Sequence, residues 1–81
     1  MNSFKELFKE FMLKENKYHF DLIPENNELF ESVKVVFNNN DKKYIIVYND
    51  GSVKFKNFDC DVKNLDILFN ALKELSKEMF C

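Results

Sequence analysis

His19 and Asp21, in the stretch "YHFDLI", are the residues best spaced to exchange a proton. On a strand, positions i and i+2 share a face, so the imidazole and the carboxylate can pair. A general base also needs a nucleophile or a pocket to act in. The chain holds no Ser-His-Asp, Cys-His or paired-carboxylate pattern to complete one, and His19 reads as an ordinary surface histidine. Cys60 lies where a helix should begin, a position that can activate a thiol. A cysteine there more often serves as a small buried hydrophobe. Cys81 ends the chain, and two cysteines with one histidine fall short of the usual four-ligand zinc site. The expectation is therefore no catalytic residue, no cofactor and no metal site.

Binding chemistry is better represented. Tyr44, Tyr48, Lys54 and Lys56 fall within "KKYIIVYNDGSVKFK". Aromatic rings and ammonium groups on one sheet face can stack bases and neutralise phosphates, or anchor a protein interface, where tyrosine is enriched. The same residues also suit a solvated face on which lysine stems cover the rings. Asp21, Glu25, Glu28 and Glu31 form a run with no lysine among them, and Asp59, Asp61 and Asp66 cluster near the start of the last helix. Such acids can dock on a basic, nucleic-acid-handling protein, or act as solubility charge and helix caps. Asp61 is read as a cap.

Four kinds of segment must position these groups. "SFKELFKEFMLKEN" is an amphipathic helix opened by the capping-box pair Ser3 and Glu6. Phe4, Leu7, Phe8 and Phe11 make its apolar stripe, and it should stop near Asn16. "YHFDLI" alternates as a strand, Tyr18, Phe20 and Leu22 on one side, ended by Pro24. "SVKVVF" is a β-branched strand, "NNNDK" a turn, and "KYIIVY" with "SVKFKNF" a hairpin. "DCDVKNLDILFNALKELSKEMF" is a second helix. Its stripe reads Val62, Leu65, Leu68, Phe69, Leu72, Leu75 and Met79, with Ala71 off it. A straight helix there holds Cys60 and Cys81 about 30 Å apart, too far for a disulfide between them. Two one-sided helices need a common cover. The expected fold class is α+β: a two-layer sandwich, helix, three or four antiparallel strands, helix, with both helices on one face.

The hairpin allows two registers. A two-residue type I′ loop at Asp50-Gly51 places Tyr44, Ile46, Tyr48, Val53 and Phe55 on one face. A three-residue loop, Asn49-Asp50-Gly51, with Gly51 left-handed as a G1 bulge, instead joins Ile45 and Val47 to Val53 and Phe55. Tyr44, Ile46 and Tyr48 then join Lys54 and Lys56. The second arrangement sorts polarity better, and a slip of one residue reverses every side chain.

Eighty-one residues make one domain, residues 1–81. A chain this short buries only about 60% of its unfolded surface, so ten Phe supply a dense core. No apolar run reaches the roughly 18 residues of a membrane span, and the charged N-terminus lacks a signal-peptide core. The chain reads as soluble, intracellular and free of membrane. Twelve Lys and no Arg, with eleven Asn, reflect AT-rich codons, hence a low-GC bacterium or a virus or mobile element living in one. Without Arg, the bidentate fork that reads guanine or clamps phosphate is missing. The formal charge of −2 divides unevenly: −3 over residues 1–31, +3 over 32–58 and −2 over 59–81.

This layout resembles small phage-encoded anti-CRISPR proteins, particularly inhibitors of type II nucleases from low-GC hosts. Some of these are acidic, of about this length, and run helix, antiparallel strands, helix. The matching segments are "FKELFKEFM", "VKVVFNNNDKKYIIVYNDGSVKF" and "LDILFNALKEL". The likeness is one of topology and composition, and the positive sheet region departs from the strongest polyanion mimics. It implies a phage protein of the cytoplasm that is not an enzyme. Such a protein inhibits through protein–protein interaction, occluding a CRISPR nuclease or another nucleic-acid-binding effector. A single-stranded nucleic-acid-binding module on the Tyr/Lys face, or a homodimer pairing its sheet faces, is the alternative.

Overall fold

The computed structural model describes residues 3–80. Helix α1 spans Phe4–Lys14. Its N-cap Ser3 accepts a hydrogen bond from the Glu6 amide, as the capping box requires. Asn16, at φ 55°, turns the chain left-handed past the end. The Lys17 amide then reaches back to the Met12 carbonyl at 2.9 Å, closing a Schellman cap.

Four strands follow: β1 Phe20–Asn26, β2 Glu31–Phe37, β3 Tyr44–Tyr48 and β4 Val53–Lys56. They form one antiparallel sheet in the order β1-β2-β3-β4. Pro24 does not end β1, contrary to the sequence reading; it sits inside the strand opposite Val33. The reason is position. On an edge strand a proline can turn its missing N–H away from the ladder at no cost in hydrogen bonds. Tyr18 also departs from the reading. It precedes β1 and is 84% exposed, whereas Phe20 and Leu22 pack against the core. Two consecutive left-handed asparagines, Asn38 and Asn39, turn β2 toward β3. The Asn38 side chain accepts hydrogen bonds from the Tyr18 and His19 amides, fixing the approach to β1.

The turn between β3 and β4 is the three-residue loop with a G1 bulge. The Gly51 amide bonds the Tyr48 carbonyl at 3.0 Å and the Tyr48 amide bonds the Ser52 carbonyl at 2.9 Å. Gly51 has φ +89°, with no atom within 4 Å of where a Cβ would stand, so its backbone conformation alone demands glycine. Val47 therefore opposes Val53, and Ile45 opposes Phe55.

After β4 a 3-10 turn, Val62–Asn64, leads into helix α2, Leu65–Phe80. Asp61 caps the turn, accepting from the Lys63 amide. The regular helix thus starts later than the stripe implies. Val62 is 78% exposed, and Ala71, expected off the stripe, is fully buried. The buried side of α2, which also takes in Ser76, is rotated relative to the stripe. The helices run antiparallel and are tied at both ends. Glu78 of α2 accepts from the free Phe4 amide of α1 at 3.2 Å. Glu15, just past α1, accepts from the Asp61 amide at 2.6 Å and the Asn64 side chain at 2.8 Å.

Phe4, Phe8 and Phe11 of α1 and Leu68, Ala71, Leu72 and Leu75 of α2 meet Val33, Val35, Phe37, Ile45 and Val47 in one hydrophobic cluster. All the sheet members come from one side of the pleat, so both helices cover the same face. Among the described residues no second layer covers the other face. Cys81 and the residues before Ser3 lie outside the described residues.

Candidate functional site

Strand pairing assembles the uncovered face in three rows. Asp21, Val36, Tyr44 and Lys56 lie side by side across the four strands. Next come Ile23, Lys34, Ile46 and Lys54. Glu25, Ser32 and Tyr48 form the third row, which ends at the β3–β4 turn. Acids stand along the β1 edge and lysines along the β4 edge, with Lys34, Ser32 and apolar or aromatic side chains between them. Asp21, Glu25, Tyr44, Tyr48, Lys54 and Lys56 are therefore gathered on one surface.

The remaining two candidates fall elsewhere. Glu28 rides on the β1–β2 turn, held by Asn27, whose side chain accepts from the Leu29 and Phe30 amides. Glu31 opens β2 with the side-chain parity of Val33 and Val35, so it belongs to the helix side of the pleat. Its carbonyl takes the Asn49 amide at 2.9 Å and joins the two turns at that end of the sheet. The run of four acids is continuous only in sequence.

Five residues of the face escaped the sequence reading: Ile23, Phe30, Ser32, Lys34 and Val36. Lys34 was legible as the lone polar residue alternating with Val33 and Val35. Its ammonium lies 3.5 Å from Glu25 and 4.6 Å from the centre of the Tyr44 ring. The ring gains a cation–π contact, and the charge is engaged on both sides. Phe30 meets Tyr48 edge to face, centroids 5.3 Å apart. Tyr44, Ile46 and Tyr48 are each half-buried by such neighbours alone, while Val36 and Ser32 beneath them are 4% and 3% exposed. The face is thus a packed surface whose side chains touch one another. Ile23 and Phe30 add exposed apolar area to it.

The candidate reactive groups stay apart. His19 Nε2 lies 3.8 Å from Asp21 and 2.8 Å from the Asn39 side-chain oxygen, in the open, with both carboxylate and ring more than two-fifths exposed. Cys60 is half-buried against the core; desolvation, reinforced by the negative charge of Glu15, pushes its thiol up from the ordinary value. This is the opposite of activation. Among the described residues no group of three His, Cys, Asp or Glu side chains is placed to hold a metal ion. Nor, among the described residues, is any helix long and apolar enough to cross a membrane.

The fold and the face together define an α+β protein, two antiparallel helices behind a four-stranded antiparallel sheet whose front is open. No protein-family model, no curated protein and no solved structure matches the chain.

Proposed function

We propose that this protein is a non-enzymatic binding protein whose uncovered sheet face docks on a protein and blocks it. Its target is a nucleic-acid-handling defence protein, of the CRISPR-nuclease kind, in the cytoplasm of a low-GC bacterial host. The observation that carries this reading is the gathering of six candidate residues, with Ile23, Phe30, Lys34 and Ile46, on one ordered surface that no other layer covers. Rigid aromatic anchors surrounded by charge are what protein interfaces use for hot spots. Protein is favoured over single-stranded nucleic acid for two reasons. The Tyr44 ring already carries Lys34 and the Tyr48 ring already packs against Phe30, so a base would compete with these contacts for the rings. Asp21 and Glu25 share the face and repel phosphate.

The test is cleavage of target DNA by purified type II CRISPR nucleases of low-GC bacteria, with the protein added in stoichiometric amounts. Inhibition by the wild type that is lost in the Tyr44→Ala/Tyr48→Ala variant supports the reading. Undiminished cleavage across those nucleases overturns the choice of target, and equal inhibition by the variant overturns the choice of surface. A gel shift with single-stranded DNA that disappears in the same variant would replace protein by nucleic acid as the ligand.

A further inference from the structure

A second surface lies on the opposite side of the pleat, at the free edge of β4. The Tyr48–Ser52 pair exchanges a main-chain hydrogen bond. Bonded and non-bonded pairs alternate along an antiparallel ladder, so Ile46–Lys54 and Tyr44–Lys56 are the next bonded pairs. The main-chain N–H and C=O groups of Val53 and Phe55 then point away from β3. Among the described residues, no turn, loop, cap or side-chain group bonds to them.

Under this edge runs a groove of ≈ 350 Å³ lined by Phe55, Phe58, Asp59, Cys60, Leu65 and Phe69. Phe55 stacks on Phe58 and meets Phe69 edge to face at 5.8 Å. Phe55 and Phe69 remain 37% and 46% exposed, and among the described residues no strand lies beyond β4. The volume is at the bottom of the range for small-molecule sites, about 300–1,000 Å³, and suits one or two side chains. On the other side of the same edge stand Lys54 and Lys56.

We propose that the β4 edge takes an extended peptide segment in which apolar and acidic residues alternate, bound as a fifth strand of the sheet. Its main chain pairs with Val53 and Phe55. Side chains alternate across the added strand, so every second residue falls over the aromatic groove and the others fall beside Lys54 and Lys56. Apolar residues belong on the groove side, where Asp59 disfavours further acid, and acidic residues on the lysine side. A second copy pairing through the same edge would set lysine against lysine, so the lysines select a foreign strand while guarding against self-association. This site shares Lys54 and Lys56 with the uncovered face, but its edge main chain and aromatic groove are its own, and it does not depend on the function proposed for that face.

The probe is a capped octapeptide alternating glutamate with valine and phenylalanine, titrated into the isotopically labelled full chain and followed by amide NMR. The expected result is saturable shifts centred on the Val53 and Phe55 amides, weakened by salt. Lys54→Glu/Lys56→Glu should reduce affinity about tenfold or more, and Phe69→Ala should also weaken it. Tyr48→Ala, on the other face, should leave it unchanged. Equal binding of a peptide with lysine in place of glutamate, shifts centred on Tyr44, Ile46 and Tyr48, or no shifts at millimolar peptide would overturn the proposal. Concentration-dependent dimerisation that is lost in Phe69→Ala would overturn the choice of occupant.

Discussion

Ile45 and Ile46 are adjacent, chemically identical and on opposite faces of β3, so their truncation measures the register directly. Ile45 is 0% exposed, clamped between Val35 and Phe55 and roofed by the helices. Ile46 lies between Lys34 and Lys54 on the open face. Replacing either by alanine removes three carbons, worth about 0.8 kcal/mol each when fully buried, or about 2.4 kcal/mol. Ile45→Ala loses all of that and leaves a closed cavity, for a total of about 3–4 kcal/mol. Ile46→Ala loses about two-thirds of the transfer energy or more and leaves no closed cavity, because water fills the gap, so the cost is about 1.5 kcal/mol. A domain of this size has about 4–12 kcal/mol in all, so the first change removes a large share. Urea denaturation followed by circular dichroism reads the difference. At about 1 kcal/mol per molar urea, the Ile45→Ala midpoint should fall about 2 M below that of Ile46→Ala. Its melting temperature should be lower by about 8–16 °C. Equal costs, or a larger cost for Ile46→Ala, would refute the bulged turn and with it the identity of the open face.

Gly51→Ala should cost about 1–2 kcal/mol, read in the same denaturation assay, although nothing obstructs the added methyl; Gly51→Asn should cost less. Hydrogen bonds from the Ser52 hydroxyl and amide hold the Asp50 carboxyl below its ordinary value of 3.8. A depressed folded-state value contributes stability above the unfolded value that is lost as pH falls through the folded one. The stability advantage of wild type over Asp50→Asn should therefore shrink below about pH 4, while an advantage that grows on acidification would contradict the assignment. In a Cys81→Ser background, Cys60 should react with iodoacetamide at pH 8 more slowly than a cysteine in an unfolded peptide, and faster reaction would contradict its raised thiol value.

The elements were legible wherever local chemistry and periodicity agree. The capping box at Ser3, the alternation of "SVKVVF" and the positive-φ demand at Gly51 each carry their own signal. The α+β class followed from two one-sided helices flanking a meander. What could not be read depends on neighbours distant in sequence. Pro24 is tolerated because β1 is an edge, which is a property of the whole sheet. Ala71 is buried because α1 packs across α2, turning the buried side of the helix away from its most apolar stripe. Glu28 and Glu31 appear equivalent to Asp21 and Glu25 along the chain, yet the turn at Asn27 and the pleat parity of β2 part them. Strand parity, legible in the sequence, puts Lys34 on the face, but its contacts with Glu25 and Tyr44, on the two strands that flank its own, were not legible.

The acid-to-lysine ordering across the open face gives it a sense of direction. Three inter-strand gaps of about 4.8 Å separate the β1 and β4 edges by roughly 14 Å, well beyond the screening distance of about 8 Å at physiological salt. The two edges therefore act as independent poles. A polymer of uniform charge gains at one pole what it loses at the other, and only a surface that itself changes sign over that span matches both. Rotating such a partner by half a turn on the face would bring like charges together at each end. The order of four strands thus fixes which way round a ligand must lie, before any single contact is made.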